Sequence, residues 1–183
     1  MAKYDMVMVL EWAKVFKENA DYGDPTAAPK SVAGSVAKKG GQTVVNAYFT
    51  SEEDMEKLIE DGLDLKPLGY DRILEGNPEY GIGKFMKLKR DVVDNLRTFK
   101  DKRGRETEVN FGGLPKVINA TDRENKRLWD YAEMGEVGNG STAIVKFDVY
   151  SDGAGVRLEA IAVTDLVEFE PQEQSEHADV WDV

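Results

Sequence analysis

The 183-residue sequence contains no cysteine, one histidine and only six prolines. Without cysteine there is no disulfide framework, no thiol nucleophile and no thiolate metal site. The single histidine, His177, lies in an acidic terminal segment with no rigid partner near it, which argues against acid–base or ligand chemistry. No apolar run approaches the roughly 18 residues that a membrane-crossing helix needs. Met1-Ala2-Lys3-Tyr4-Asp5 leads straight into an alternating segment without an apolar leader. Gly81-Ile82-Gly83-Lys84 lacks the spacing of a phosphate loop. The expectation is a non-enzyme with no cofactor, no metal and no membrane contact, in a reducing cytoplasm.

What is present points to β structure. Seventeen glycines imply many turns, and a hydrophobic fraction of 41% is enough for a real core. The net charge of −11 would repel phosphate, but it is a sum over unlike parts. From Glu168 to Val183 the chain has acids and no Lys or Arg. Between Lys84 and Arg105 the balance reverses, with Lys84, Lys87, Lys89, Arg90, Arg97, Lys100, Lys102, Arg103 and Arg105 against Asp91, Asp94 and Asp101.

Period-two alternation predicts strands over 4–16, 42–49, 63–68, 84–90, 116–120, 141–150 and 155–169. Ser51-Glu52-Glu53-Asp54 is a helix start, with Met55, Leu58 and Ile59 on its apolar side and Gly62 at its end. Residues 19–41, 69–83 and most of 121–140 read as loop. Residues 91–99 are ambiguous, and 101–113 read as a basic hairpin or loop. The inventory matches a mainly β, five-stranded OB-fold-like barrel with one short helix and long loops over residues 1–169, followed by a disordered acidic tail over 170–183.

On the strand Lys84 to Arg90, Met86 and Leu88 share one face, while Phe85, Lys87 and Lys89 share the other. A flat aromatic on which a base stacks, flanked by cations that follow phosphates, is what a single-strand binder needs. The competing reading is a solvated edge with Phe85 turned into the core. Lys100, Lys102, Arg103 and Arg105 form a second basic group that clamps a phosphate backbone or is simply a solvated turn. Phe111, beside this loop, and Trp129, after Arg123, Lys126 and Arg127, are further candidates for stacking. In the tail, Glu173, Glu176, Asp179 and Asp182 surround Trp181, an apolar anchor that a merely solubilising segment does not need. Such a peptide suits a basic groove beside a hydrophobic pocket.

Several stretches, in order, resemble the single-stranded DNA-binding proteins of tailed bacteriophages. They are Leu10-Glu11-Trp12-Ala13-Lys14-Val15-Phe16 with Asn19 and Tyr22, Phe85-Met86-Lys87-Leu88-Lys89-Arg90, Pro115-Lys116-Val117-Ile118, and Gly138-Asn139-Gly140-Ser141 leading to Val145-Lys146-Phe147. Leu158-Glu159-Ala160-Ile161-Ala162-Val163 and Leu166-Val167-Glu168 complete them, with the acidic tail behind. The resemblance implies an OB-fold protein that coats single strands without sequence preference in phage DNA replication, recombination and repair, inside the infected bacterial host. It also implies a homodimer, and a tail that competes with DNA and contacts the phage DNA polymerase and primase-helicase. Trp181 departs from the pattern in not being the last residue. The rival class is an acidic DNA mimic that inhibits a host nucleic-acid enzyme, which would need acids spread over the whole body.

Overall fold

Strand β1 (Ala2–Lys14) buries Met6, Met8 and Leu10 and turns the intervening residues outward, so alternation in the sequence becomes a two-faced strand. The computed structural model describes residues 2–169. β2 (Gln42–Phe49), β4 (Lys84–Asp91), β9 (Ser141–Tyr150) and β10 (Gly155–Asp165) repeat the pattern. Together they bury Val45, Ala47, Phe49, Met86, Leu88, Val145, Phe147, Leu158 and Ile161 in one core. The chain is mainly β. An eight-stranded sheet runs in the order β3-β4-β2-β1-β9-β10-β7-β8, where β3 is Leu74–Glu75, β7 Lys116–Asn119 and β8 Arg127–Leu128. A separate antiparallel hairpin joins β5 (Leu96–Lys100) to β6 (Glu106–Asn110).

Several expectations need correction. The sheet is not closed into a barrel, and it holds more than five strands. At the gap, the Arg90 Nη1 on β4 donates to the Leu158 carbonyl of β10 at 3.2 Å, a side-chain link where a ladder would have completed a ring. Three α-helices, not one, lie among the described residues: α1 (Val32–Lys38), α2 (Glu52–Glu60) and α3 (Tyr131–Met134). α1 falls where a loop was expected. Ser31 accepts from the Gly34 amide at 3.1 Å, and Gly34 is needed there because a Cβ would meet the Ala28 carbonyl oxygen at 2.1 Å. α2 forms as expected, capped by Ser51, with Met55 and Leu58 buried. Residues 63–68 make no strand; the Leu63 amide closes α2 by donating to the Leu58 carbonyl, and a 3-10 turn follows at Pro67–Gly69. The last strand ends at Asp165 rather than Phe169. The disordered tail expected over 170–183 lies outside the described residues.

Candidate nucleic-acid interface

The gap between β4 and β10 is where the cationic side chains gather. Lys87 and Lys89 stand exposed on the outer face of β4, opposite the buried Met86 and Leu88. Across the gap lie Tyr150, Ser151, Ala154, Gly155 and Val156 at the β9–β10 connection, and residues 64–72 form the third wall of a cleft of about 1040 Å³. That wall is tied to the connection by backbone and side chain. The Asp64 amide donates to the Gly153 carbonyl at 3.0 Å, and Arg72 Nη2 donates to the Ala154 carbonyl. Gly153 permits this approach: its φ is +94°, and a Cβ there would lie 2.0 Å from the Gly62 carbonyl oxygen. Tyr70, 78% exposed, stands on the same wall.

Lys87, Lys89 and Arg72 face this cleft, and Asp64 and Asp71 stand on its third wall. The Lys89 ammonium is held below the ordinary lysine range, first by burial and then by repulsion from Lys87 and Lys39, although its side chain still reaches solvent. Burial likewise lowers Arg72.

The hairpin extends the surface. A second cleft of about 410 Å³ is lined by Phe99, Lys100, Asp101, Thr107, Val109, Tyr150 and Ser151, so the two clefts adjoin at Tyr150 and Ser151. The chain matches no known family model and no curated protein. Lys102, Arg103 and Arg105 sit exposed at the hairpin turn, where the Asp101 carboxylate accepts from the Arg103 and Arg105 amides at 2.8 and 2.9 Å. Phe111 is the anchor of the hairpin, not an open platform. It is 5% exposed, edge-on to Tyr150 at 4.9 Å, tilted against Phe99 at 5.4 Å, and flanked by the guanidiniums of Arg97 and Arg157 at 4.7 and 4.5 Å. Arg90 adds bonds to the carbonyls of Gly112 and Gly113 at 2.6 and 2.7 Å.

Phe85 shares the outer face of β4 with Lys87 and Lys89, but it is only 8% exposed. Its ring lies 4.9 Å from that of Tyr48, which meets Tyr80 edge-on at 5.4 Å. Gly76 closes over both, and a Cβ there would sit 2.2 Å from the Tyr48 hydroxyl. Almost no ring surface is left for a base. Trp129 is grouped elsewhere: its indole N–H donates to the Gly135 carbonyl at 2.9 Å, its ring stacks on Phe16, and it lines a different cleft with Leu114, Lys116 and Leu128. Glu173, Glu176, Asp179, Trp181 and Asp182 lie outside the described residues.

The structure therefore brings Lys87, Lys89 and Lys100 to one continuous surface and leaves Trp129 off it. Sequence reasoning missed Tyr70 and Arg72, which sit in an unpatterned loop with no local signal. No helix among the described residues is long and apolar enough to cross a membrane.

Proposed function

We propose that this chain is an OB-fold protein that binds single-stranded DNA without sequence preference and serves phage DNA replication, recombination and repair. The observation that carries the reading is the cleft at the β4–β10 gap, where Lys87, Lys89 and Arg72 surround a space walled by Tyr70 and Tyr150. Cations that track phosphates beside aromatic faces that accept bases are the two parts of a single-strand groove. The order β4-β2-β1-β9-β10 supports the fold assignment. OB-folds bind oligonucleotides on the face of their second and third strands, between the loops after the first and fourth strands. β2 and β4 are the second and third strands of this set, and the connection at 151–154 is the loop after the fourth. The acidic tail competes for the cleft and docks the phage polymerase and primase-helicase.

The decisive experiment is titration of a fluorescent, unstructured thymidine oligonucleotide and of a matched duplex at two salt concentrations. The reading requires strong preference for the single strand and an affinity that falls with salt, by about 0.7 log unit per log unit of salt for each phosphate contact. Equal affinity for both forms at moderate salt would overturn it.

A further inference from the structure

The outer face of the sheet holds an aromatic that the cleft does not include. In β1, Glu11 is paired with Asn46 and Lys14 with Val44, so Trp12 and Ala13 together oppose the single residue Val45. This is a β-bulge, and its first residue adopts φ +50°. Glycine is the usual occupant of a left-handed first bulge position, because a side chain there meets its own backbone. Here the occupant is tryptophan, 59% exposed. The distortion is held from outside the ladder: the Trp12 amide donates to Asn139 Oδ1 at 2.8 Å, and the Gly140 amide donates to the Leu10 carbonyl at 2.9 Å. Ala13, the second bulge residue, is buried and supplies the core contact that the position needs. The exposed indole thus contributes little to packing, and a strained residue kept at the surface is a sign of function.

Register shows what lies beside it. Val44 is paired with Lys14 on one side and Lys89 on the other, and Asn46 with Glu11 and Lys87. Residues directly opposite point to the same side of a sheet, so Lys14 and Lys89 flank Val44 on one face, about 10 Å apart at the backbone. Glu11 shares that face as a carboxylate held in place, its Oε1 accepting from Asn46 Nδ2 and the Tyr48 hydroxyl at 3.1 and 2.9 Å, with Lys14, Lys87 and Lys89 as the cations of the row. The row therefore carries lysines towards the bulge, continuous with the cleft at Lys87 and Lys89.

We infer that Trp12 and Lys14 form a second subsite for single-stranded DNA, in which a base stacks on the indole and Lys14 meets a neighbouring phosphate, so that the strand runs from the β4–β10 cleft across β2 onto β1. The inference rests on the single-strand reading above. The test uses the full chain, a thymidine oligonucleotide followed by anisotropy, and intrinsic tryptophan emission. Trp12→Gly relieves the backbone while removing the ring, so the melting temperature should rise while affinity falls about tenfold, within the range of a lost stacking contact. Trp12→Phe, made in a Trp181→Phe background because the tail tryptophan also responds when DNA displaces the tail, should keep most of the affinity and lose the greater part of the emission quench that DNA produces in that background. If Trp12→Gly binds the oligonucleotide as well as the unaltered chain does, or if the quench survives in Trp12→Phe, the subsite is overturned while the function stands. If the unaltered chain gives no anisotropy change, the single-strand reading fails and the subsite with it.

Discussion

Asp148 and Arg157 stand directly opposite one another across β9 and β10, and their side chains meet as an ion pair almost sealed from water. The same guanidinium lies over the Phe111 ring, and its Nη1 donates to the Asn110 carbonyl at 2.7 Å. One buried pair thus connects the sheet to the base of the β5–β6 hairpin. Removing one partner strands a buried charge, so Asp148→Ala should cost about 3–5 kcal/mol of stability. Chemical denaturation measures that loss. Hydrogen exchange should also show the amides of 96–110 losing protection, which a defect confined to the sheet would not produce.

Lys87→Ala and Lys89→Ala should each reduce the salt slope of oligonucleotide binding by about 0.7, because each removes one phosphate contact. Lys116→Ala, at a residue that lines the separate cleft with Trp129, should leave the slope unchanged. Titrations at four or more salt concentrations separate the two. Equal slopes for all three variants would mean that DNA does not lie along β4.

Binding should also respond to pH through Lys89. Its folded value is lowered by burial and by neighbouring cations, so the ammonium loses its proton earlier on raising pH than an ordinary lysine does. Affinity should therefore begin to fall before the usual lysine range is reached, and Lys89→Arg should move the fall to higher pH. Stability moves the other way. The unfolded chain binds more protons at this group in the window between the lowered and the ordinary value, so this contribution favours folding increasingly as pH rises through it. Opposite trends in affinity and melting temperature over that window are the measurable outcome.

Phe85 and Tyr150 should separate cleanly under truncation. Phe85→Ala empties a packed site beside Tyr48 and should cost roughly 3–5 kcal/mol of stability with little change in affinity per folded molecule. Tyr150→Ala removes a wall shared by both clefts and should weaken binding by about 1–3 kcal/mol. Binding measured well below each variant's melting temperature distinguishes the two. A strong affinity loss in Phe85→Ala under those conditions would return the base to β4.

Deleting residues 170–183 should tighten DNA binding, most visibly at low salt. An attached acidic segment competes with phosphate at about millimolar effective concentration, and salt screens both contacts over a Debye length of about 8 Å at physiological strength. Trp181→Ala keeps the charge of the tail, so it should impair polymerase docking more than it alters DNA affinity. Titration at two salt concentrations and a pull-down of the polymerase read the two effects.

The elements that the sequence alone determined are those governed by neighbours in the chain. Gln42–Phe49 is a strand because its alternation is uninterrupted, α2 starts at Ser51 because that hydroxyl and the following acids satisfy the helix end, and Lys87 and Lys89 share a face because strand side chains repeat every two residues. Tertiary structure decided the rest. Phe85 alternates correctly, yet its burial depends on Tyr48, Tyr80 and Gly76 arriving from other segments. α1 depends on Gly34 fitting beneath the Ala28 carbonyl, in a stretch whose composition resembles a loop. The cleft joins Lys87 and Lys89 to Arg72 and to a connection reached by a hydrogen bond 82 positions along the chain. Local preference extends over only a few residues, whereas the meeting of β4 with β10 follows from how the sheet curls and which partners each strand finds.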